Sequence, residues 1–124
     1  MIFKPARLGV FLALFLFLSS PAYAAFEWKG PFTIKEITHR AENSLAVLTV
    51  AVDEINLISS GCPISDQEGF VSYWASTTNG YHSQWNSMLM ASQAQGKKVM
   101  LFIDSSTCST WAGARFFGVK ILPE

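Results

Sequence analysis

Residues 82–95 read HSQWNSMLMASQAQ, and this stretch decides the fold class. It contains no proline, glycine or β-branched residue. Trp85, Met88, Leu89 and Ser92 fall at i, i+3, i+4 and i+7, the apolar stripe of an amphipathic helix. His82 or Ser83 stands near the N-cap. Gly96 suits the left-handed position after the last turn, and Lys97 and Lys98 follow it.

The segments on either side have a different period. Upstream, residues 69–76 (GFVSYWAS) alternate as a strand. Phe70, Ser72, Trp74 and Ser76 lie on one face, with Val71, Tyr73 and Ala75 on the other. Before it, residues 33–40 (TIKEITHR) and 45–52 (LAVLTVAV) form a predicted hairpin around the polar turn 41–44. Residues 25–31 are a short lead-in, and 53–69 read as a connection broken by Gly61, Pro63 and Asp66. Downstream, residues 99–103 (VMLFI) give a fourth strand, 104–113 a Ser/Thr-rich loop, and 114–122 a fifth strand. The predicted order is β-β-β-α-β-β, mainly β with one helix. That is the order of an OB-fold-like five-stranded Greek-key barrel. A helix packed on an open antiparallel sheet is the alternative.

Composition must be read after setting aside the N-terminus. Residues 1–24 carry 17 of the 62 apolar residues. Lys4 and Arg7 precede an uncharged apolar run of 11 residues (8–18), and Ala22-Tyr23-Ala24 supplies small residues at −3 and −1. This is the secretory signal pattern, too short to span a bilayer. The expected organisation is a signal peptide over 1–24 and one OB-fold-like domain over 25–124 in a secreted or periplasmic protein. The remainder has seven basic against nine acidic residues. That balance excludes a polybasic nucleic-acid binder. Nothing after Ala25 predicts a membrane span.

Cys62 and Cys108 are the only cysteines. An even count in a small exported domain reads as a disulfide. Free thiols and a redox or metal pair are the alternatives, although there is no Cys-x-x-Cys. No catalytic motif appears, and no clustered ligand set predicts a metal or other cofactor. His39 and His82 read as separate polar residues. The adjacent carboxylates Asp53 and Glu54 point to opposite faces of a strand end. The domain is therefore read as a non-enzyme, with a small periplasmic hydrolase or inhibitor as the minor alternative. Aromatics are the more informative feature. Trp111 sits among Ser105, Ser106, Thr107, Ser109 and Thr110. Hydroxyls around an aromatic ring suit a sugar, whose C–H face stacks while its hydroxyls exchange hydrogen bonds. One of Tyr73 and Trp74 must also face outward. Trp111, Tyr73 and Trp74 are the candidate ligand-binding residues, for a glycan or a protein.

The signal peptide, Cys62 before the third strand, the 82–95 helix with its Gly96-Lys97-Lys98-Val99 exit, and a fourth strand ending before Cys108 form one pattern. It resembles the small B subunits of bacterial pentameric toxins, of the subtilase-cytotoxin, pertussis and typhoid-toxin type. The resemblance implies an OB-fold that assembles into rings and binds host glycans, beside a catalytic A subunit. It transfers no sugar-binding residue to this chain. The helix has no charged residue from Ser83 to Gln95. Asn86, Met90 and Gln93 on its outer face are the candidate homo-oligomer contacts, by analogy with the pore-lining helices of those rings. The competing reading is a structural or interaction protein without a small ligand.

Overall fold

The computed structural model describes residues 26–109 and 112–124, so the expected signal segment and Trp111 lie outside the described residues. The strands are β1 (Phe26–Phe32), β2 (Ile34–Glu42), β3 (Leu45–Val52), β4 (Phe70–Ser76), β5 (Val99–Ser109) and β6 (Gly113–Ile121). A short helix α1 (Pro63–Glu68) precedes β4, and the main helix α2 (His82–Ala94) links β4 to β5. The protein is mainly β with one main helix, as the sequence predicts.

The six strands form one mixed sheet in the order β1-β5-β6-β4-β3-β2. Every pair is antiparallel except β4 with β6. The expected five-stranded Greek-key barrel is corrected in strand number, to six. The lead-in segment is a sixth strand, β1, whose Phe26 and Trp28 pair with Asp104 and Phe102 of β5. β1 and β2 are the two edges of the hydrogen-bonded order. They are also successive pieces of one chain segment, interrupted only at Thr33.

Local chemistry sets the boundaries. The β2–β3 hairpin is tighter than the predicted four-residue loop. Glu42 pairs with Leu45, and Asn43 and Ser44 both take positive φ (48° and 67°). A two-residue turn of that kind matches the twist of the flanking strands. Pro63, read as a breaker, instead begins α1, where its missing N–H costs nothing. The Asp66 carboxylate accepts from the N–H groups of Ser60 and Gly61 and fixes the approach to that helix. α2 closes on Gly96 with two backbone bonds, Gly96 N–H to the Gln93 carbonyl and Lys97 N–H to the Ser92 carbonyl. This is the paired C-terminal motif that glycine permits. Its N-cap is Tyr81, which makes no side-chain capping bond.

Leu48, Val50, Val71, Tyr73, Leu101, Ile103 and Phe116 fill the inner face of the sheet, and Leu89 from α2 is buried against them. The predicted helix stripe holds: Leu89 and Ser92 are buried, and Trp85 and Met88 are half-buried. The Cys62–Cys108 disulfide is formed, with Cα atoms 5.7 Å apart. It ties the residue before α1 to the far half of β5, a region expected to be a loop.

Candidate functional site

The strand registers place one row of side chains across the face opposite the core. Thr38 pairs with Thr49, Thr49 with Ser72, Ser72 with Arg115, and Arg115 with Asp104. Paired residues in adjacent strands point to the same side. A continuous polar row therefore runs from β2 through β3, β4 and β6 to β5. Thr49 and Ser72 hydroxyls are 2.9 Å apart, and the Ser72 hydroxyl donates to the Ala112 carbonyl at 2.6 Å. That bond anchors the end of the β5–β6 connection beside the row.

At its β2 end the row opens into a hollow of about 150 Å³, lined by Glu36, Thr38, Arg40, Thr49, Ala51 and Phe70. Hydroxyls occupy the middle, a carboxylate and a guanidinium stand on the outer strand, and an aromatic ring closes one side. The volume is well below the roughly 300 Å³ of a typical small-molecule pocket. It suits one polar ring or one group of a longer ligand.

Trp74 lies two residues beyond Ser72 on this same face and is half-buried. The Arg115 guanidinium stacks between the rings of Trp74 and Phe117, 4.6 and 4.5 Å from their centroids. Its Nη2 donates to the Trp74 carbonyl at 2.6 Å. Such cation–π contacts hold the long side chain in one pose. Asp104, paired with Arg115, is itself tied down: Oδ1 accepts from the Ser106 N–H at 3.0 Å, and Oδ2 accepts from the Thr107 hydroxyl. Burial pushes the Asp104 carboxyl up, but these hydrogen bonds and the Arg115 charge outweigh it and hold the group below the usual carboxylate range.

The predicted ligand trio is thus divided. Tyr73 is only 5% exposed, its ring edge-on to Trp85 at 4.5 Å, and its hydroxyl accepts from the Tyr81 N–H. It belongs to the inner face, and Trp74 is the outward member of the pair. Asn86 and Met90 share one side of α2, with the Asn86 amide 3.6 Å from the Met90 sulfur. Met90 is 55% exposed. Gln93 instead reaches back to donate to the Lys35 carbonyl of β2 at 3.3 Å.

Sequence reasoning missed the hollow and a second aromatic cluster. Phe26 and Trp28 on β1 pack on Phe102, with centroids 5.6 and 5.2 Å away, and Phe26 also meets Phe117. Lys120 lies 5.0 Å over the Trp28 ring. Gly118 makes room beneath: a Cβ there would stand 3.0 Å from the indole. The alternation Phe26-Glu27-Trp28 was the available signal.

Two carboxylates in the connections serve the fold. Glu54 accepts from Thr33, and Asp66 from Ser60 and Gly61. No group of three or more metal-ligating side chains occurs among the described residues, and none of their helices is long and apolar enough to cross a membrane. No family model, curated protein or solved structure matches the chain.

Proposed function

We propose that this domain is an exported binding module that takes a glycan on the outer face of β2, β3 and β4. The observation that carries this reading is the hollow over Thr38 and Thr49, flanked by Glu36, Arg40 and Phe70. Vicinal hydroxyls of a sugar need both donors and acceptors, and threonine hydroxyls are both. A carboxylate accepts from them, a guanidinium donates to them, and Phe70 offers a ring face for C–H contact, with Trp74, stacked on Arg115, beside it on the same face. Trp111, outside the described residues, is assigned to the same ligand by its sequence neighbours alone.

The sheet is proposed to be of the OB type. Three features support this. β1 and β2 act as halves of one bent strand serving both sheet edges, β4 and β6 are parallel, and the main helix lies between β4 and β5. In OB-folds the corresponding face and its adjoining loops bind oligosaccharides and oligonucleotides. The acidic balance of residues 25–124 favours the former. A ring-forming relationship to toxin B subunits belongs to the same proposal, with the α2 face as the contact between copies. The Cys62–Cys108 bond supports an oxidising destination, periplasmic or extracellular.

Amide chemical-shift mapping with short neutral and acidic oligosaccharides tests the site. Perturbations clustered on Thr38, Thr49, Phe70 and Ser72 support it. Saturable perturbations confined to the Phe26–Trp28 cluster would move the site and defeat this assignment. The competing reading, an interaction protein without a small ligand, draws on the exposure of Phe26 and Trp28.

A further inference from the structure

We propose that His39 and His82 form a two-imidazole chelate for a borderline divalent transition ion, Ni²⁺, Cu²⁺ or Zn²⁺, clamping the edge strand β2 to the start of α2. The two rings come from elements 43 residues apart in sequence, yet their centroids are 5.3 Å apart with planes at 53°. Two imidazole nitrogens bound at about 2.1 Å to one tetrahedral ion place their ring centres about 5.3 Å apart. The ring centres of the pair already stand at the separation a chelate requires.

The surroundings agree. Thr38 and Arg40, the strand neighbours of His39, line the hollow on the opposite face of the sheet. On its own side His39 faces His82, with Leu48 opposite it on β3. The neutral imidazole is the form that binds a metal. Ser83 Oγ stands 3.4 Å from His82 Nδ1. That is the kind of outer partner a ligating imidazole keeps on its second nitrogen. His39 is exposed and His82 half-buried, so water can fill the remaining positions on the ion. Imidazole suits Cu²⁺, Ni²⁺ and Zn²⁺, while Mg²⁺ and Ca²⁺ prefer oxygen ligands.

At the other end of the helix, Gln93 donates to the Lys35 carbonyl of the same strand. α2 therefore touches β2 at both ends, and a metal at the histidine end stabilises the native state by mass action.

The test uses tag-free mature protein. Thermal unfolding at pH 7.5 with NiCl₂ should show Tm rising by about 5–10 °C at ten times the dissociation constant. MgCl₂ should give no rise, and the effect should vanish at pH 5. Losing an outer-sphere partner already costs about 10–100-fold in metal affinity, so His39→Gln or His82→Gln should each weaken Ni²⁺ binding at least that much. A second measurement needs no variant. Substoichiometric Cu²⁺ should broaden the ring proton resonances of both histidines of the wild type together. No Tm rise with up to 1 mM NiCl₂ (about a hundred times a 10 µM dissociation constant), an equal rise in both variants, or broadening of one ring alone overturns the proposal.

Discussion

Thr33 and Glu54 are joined by two hydrogen bonds. The Thr33 N–H donates to Glu54 Oε1 at 2.6 Å, and the Thr33 hydroxyl donates to Oε2 at 2.7 Å. Thr33 is the one residue between β1 and β2, where the chain leaves one edge of the sheet and starts the other. Its backbone N–H has left the ladders, and a carboxylate from the β3–β4 connection satisfies it. Lys98, 3.6 Å from Oε2, adds a charge from just before β5.

Glu54→Ala should therefore destabilise the domain by about 1–3 kcal/mol, the range for losing hydrogen bonds to a charged group. Burial pushes the Glu54 carboxyl up, but the Thr33 bonds and Lys98 outweigh it and hold it below its ordinary value of 4.5. The stabilisation is then complete above pH 4.5 and is lost as pH falls through the lower folded value. Urea denaturation of wild type and variant should differ at pH 7 and converge toward pH 3.

Cys108→Ser should cost about 2–5 kcal/mol, because it opens a loop of 46 residues in sequence. Non-reducing peptide mapping should recover Cys62 and Cys108 in one linked pair. Equal denaturation midpoints for the variant and the oxidised wild type would show that the bond contributes nothing.

Leu89→Ala should cost about 2–5 kcal/mol, the range for a cavity beneath a fully buried leucine. Met90→Ala, one residue along the same helix but exposed, should stay within about 0.5 kcal/mol. Guanidinium unfolding of the two variants gives the contrast directly, and similar losses in both would mean that α2 is covered on both sides.

Met90→Glu should split a homo-oligomer while leaving circular dichroism unchanged, if α2 faces α2 in a ring. Light scattering of the wild type at tens of micromolar decides first: a monomer removes the α2 contact from the account.

The helix and five of the six strands were legible, the fifth strand only in its first half, because each carries its own period within a few residues. α2 announces itself through Trp85, Met88, Leu89 and Ser92 and stops at Gly96. β1 was hidden because Gly30 and Pro31 break its alternation, and its partners on β5 stand 67 to 78 residues away. The second half of β5 reads as a loop because Ser105, Ser106, Thr107 and Ser109 are polar. Pairing with β6 and the Cys62 bond make it a strand. α1 was missed because Pro63 both breaks and begins helices. Trp74 was legible as one of two, since strand alternation gives faces without saying which face is inner. The polar row was not legible at all. It depends on the parallel register Ser72 with Arg115 and on a two-residue turn at Asn43-Ser44, and a one-residue slip in either would turn the row inward. The approach of His39 to His82 likewise depends on where α2 lies against β2.

The most direct test of the account is a glycan array probed with multivalent mature protein, wild type beside the double variant Thr38→Val/Thr49→Val. Both substitutions keep β-branched shape in the strands and remove the two hydroxyls that floor the hollow. The wild type should bind a restricted set of glycans, and the variant, with an unchanged circular dichroism spectrum, should lose that binding by at least about tenfold. Identical profiles for the two proteins, or a wild type that binds no glycan, would contradict it.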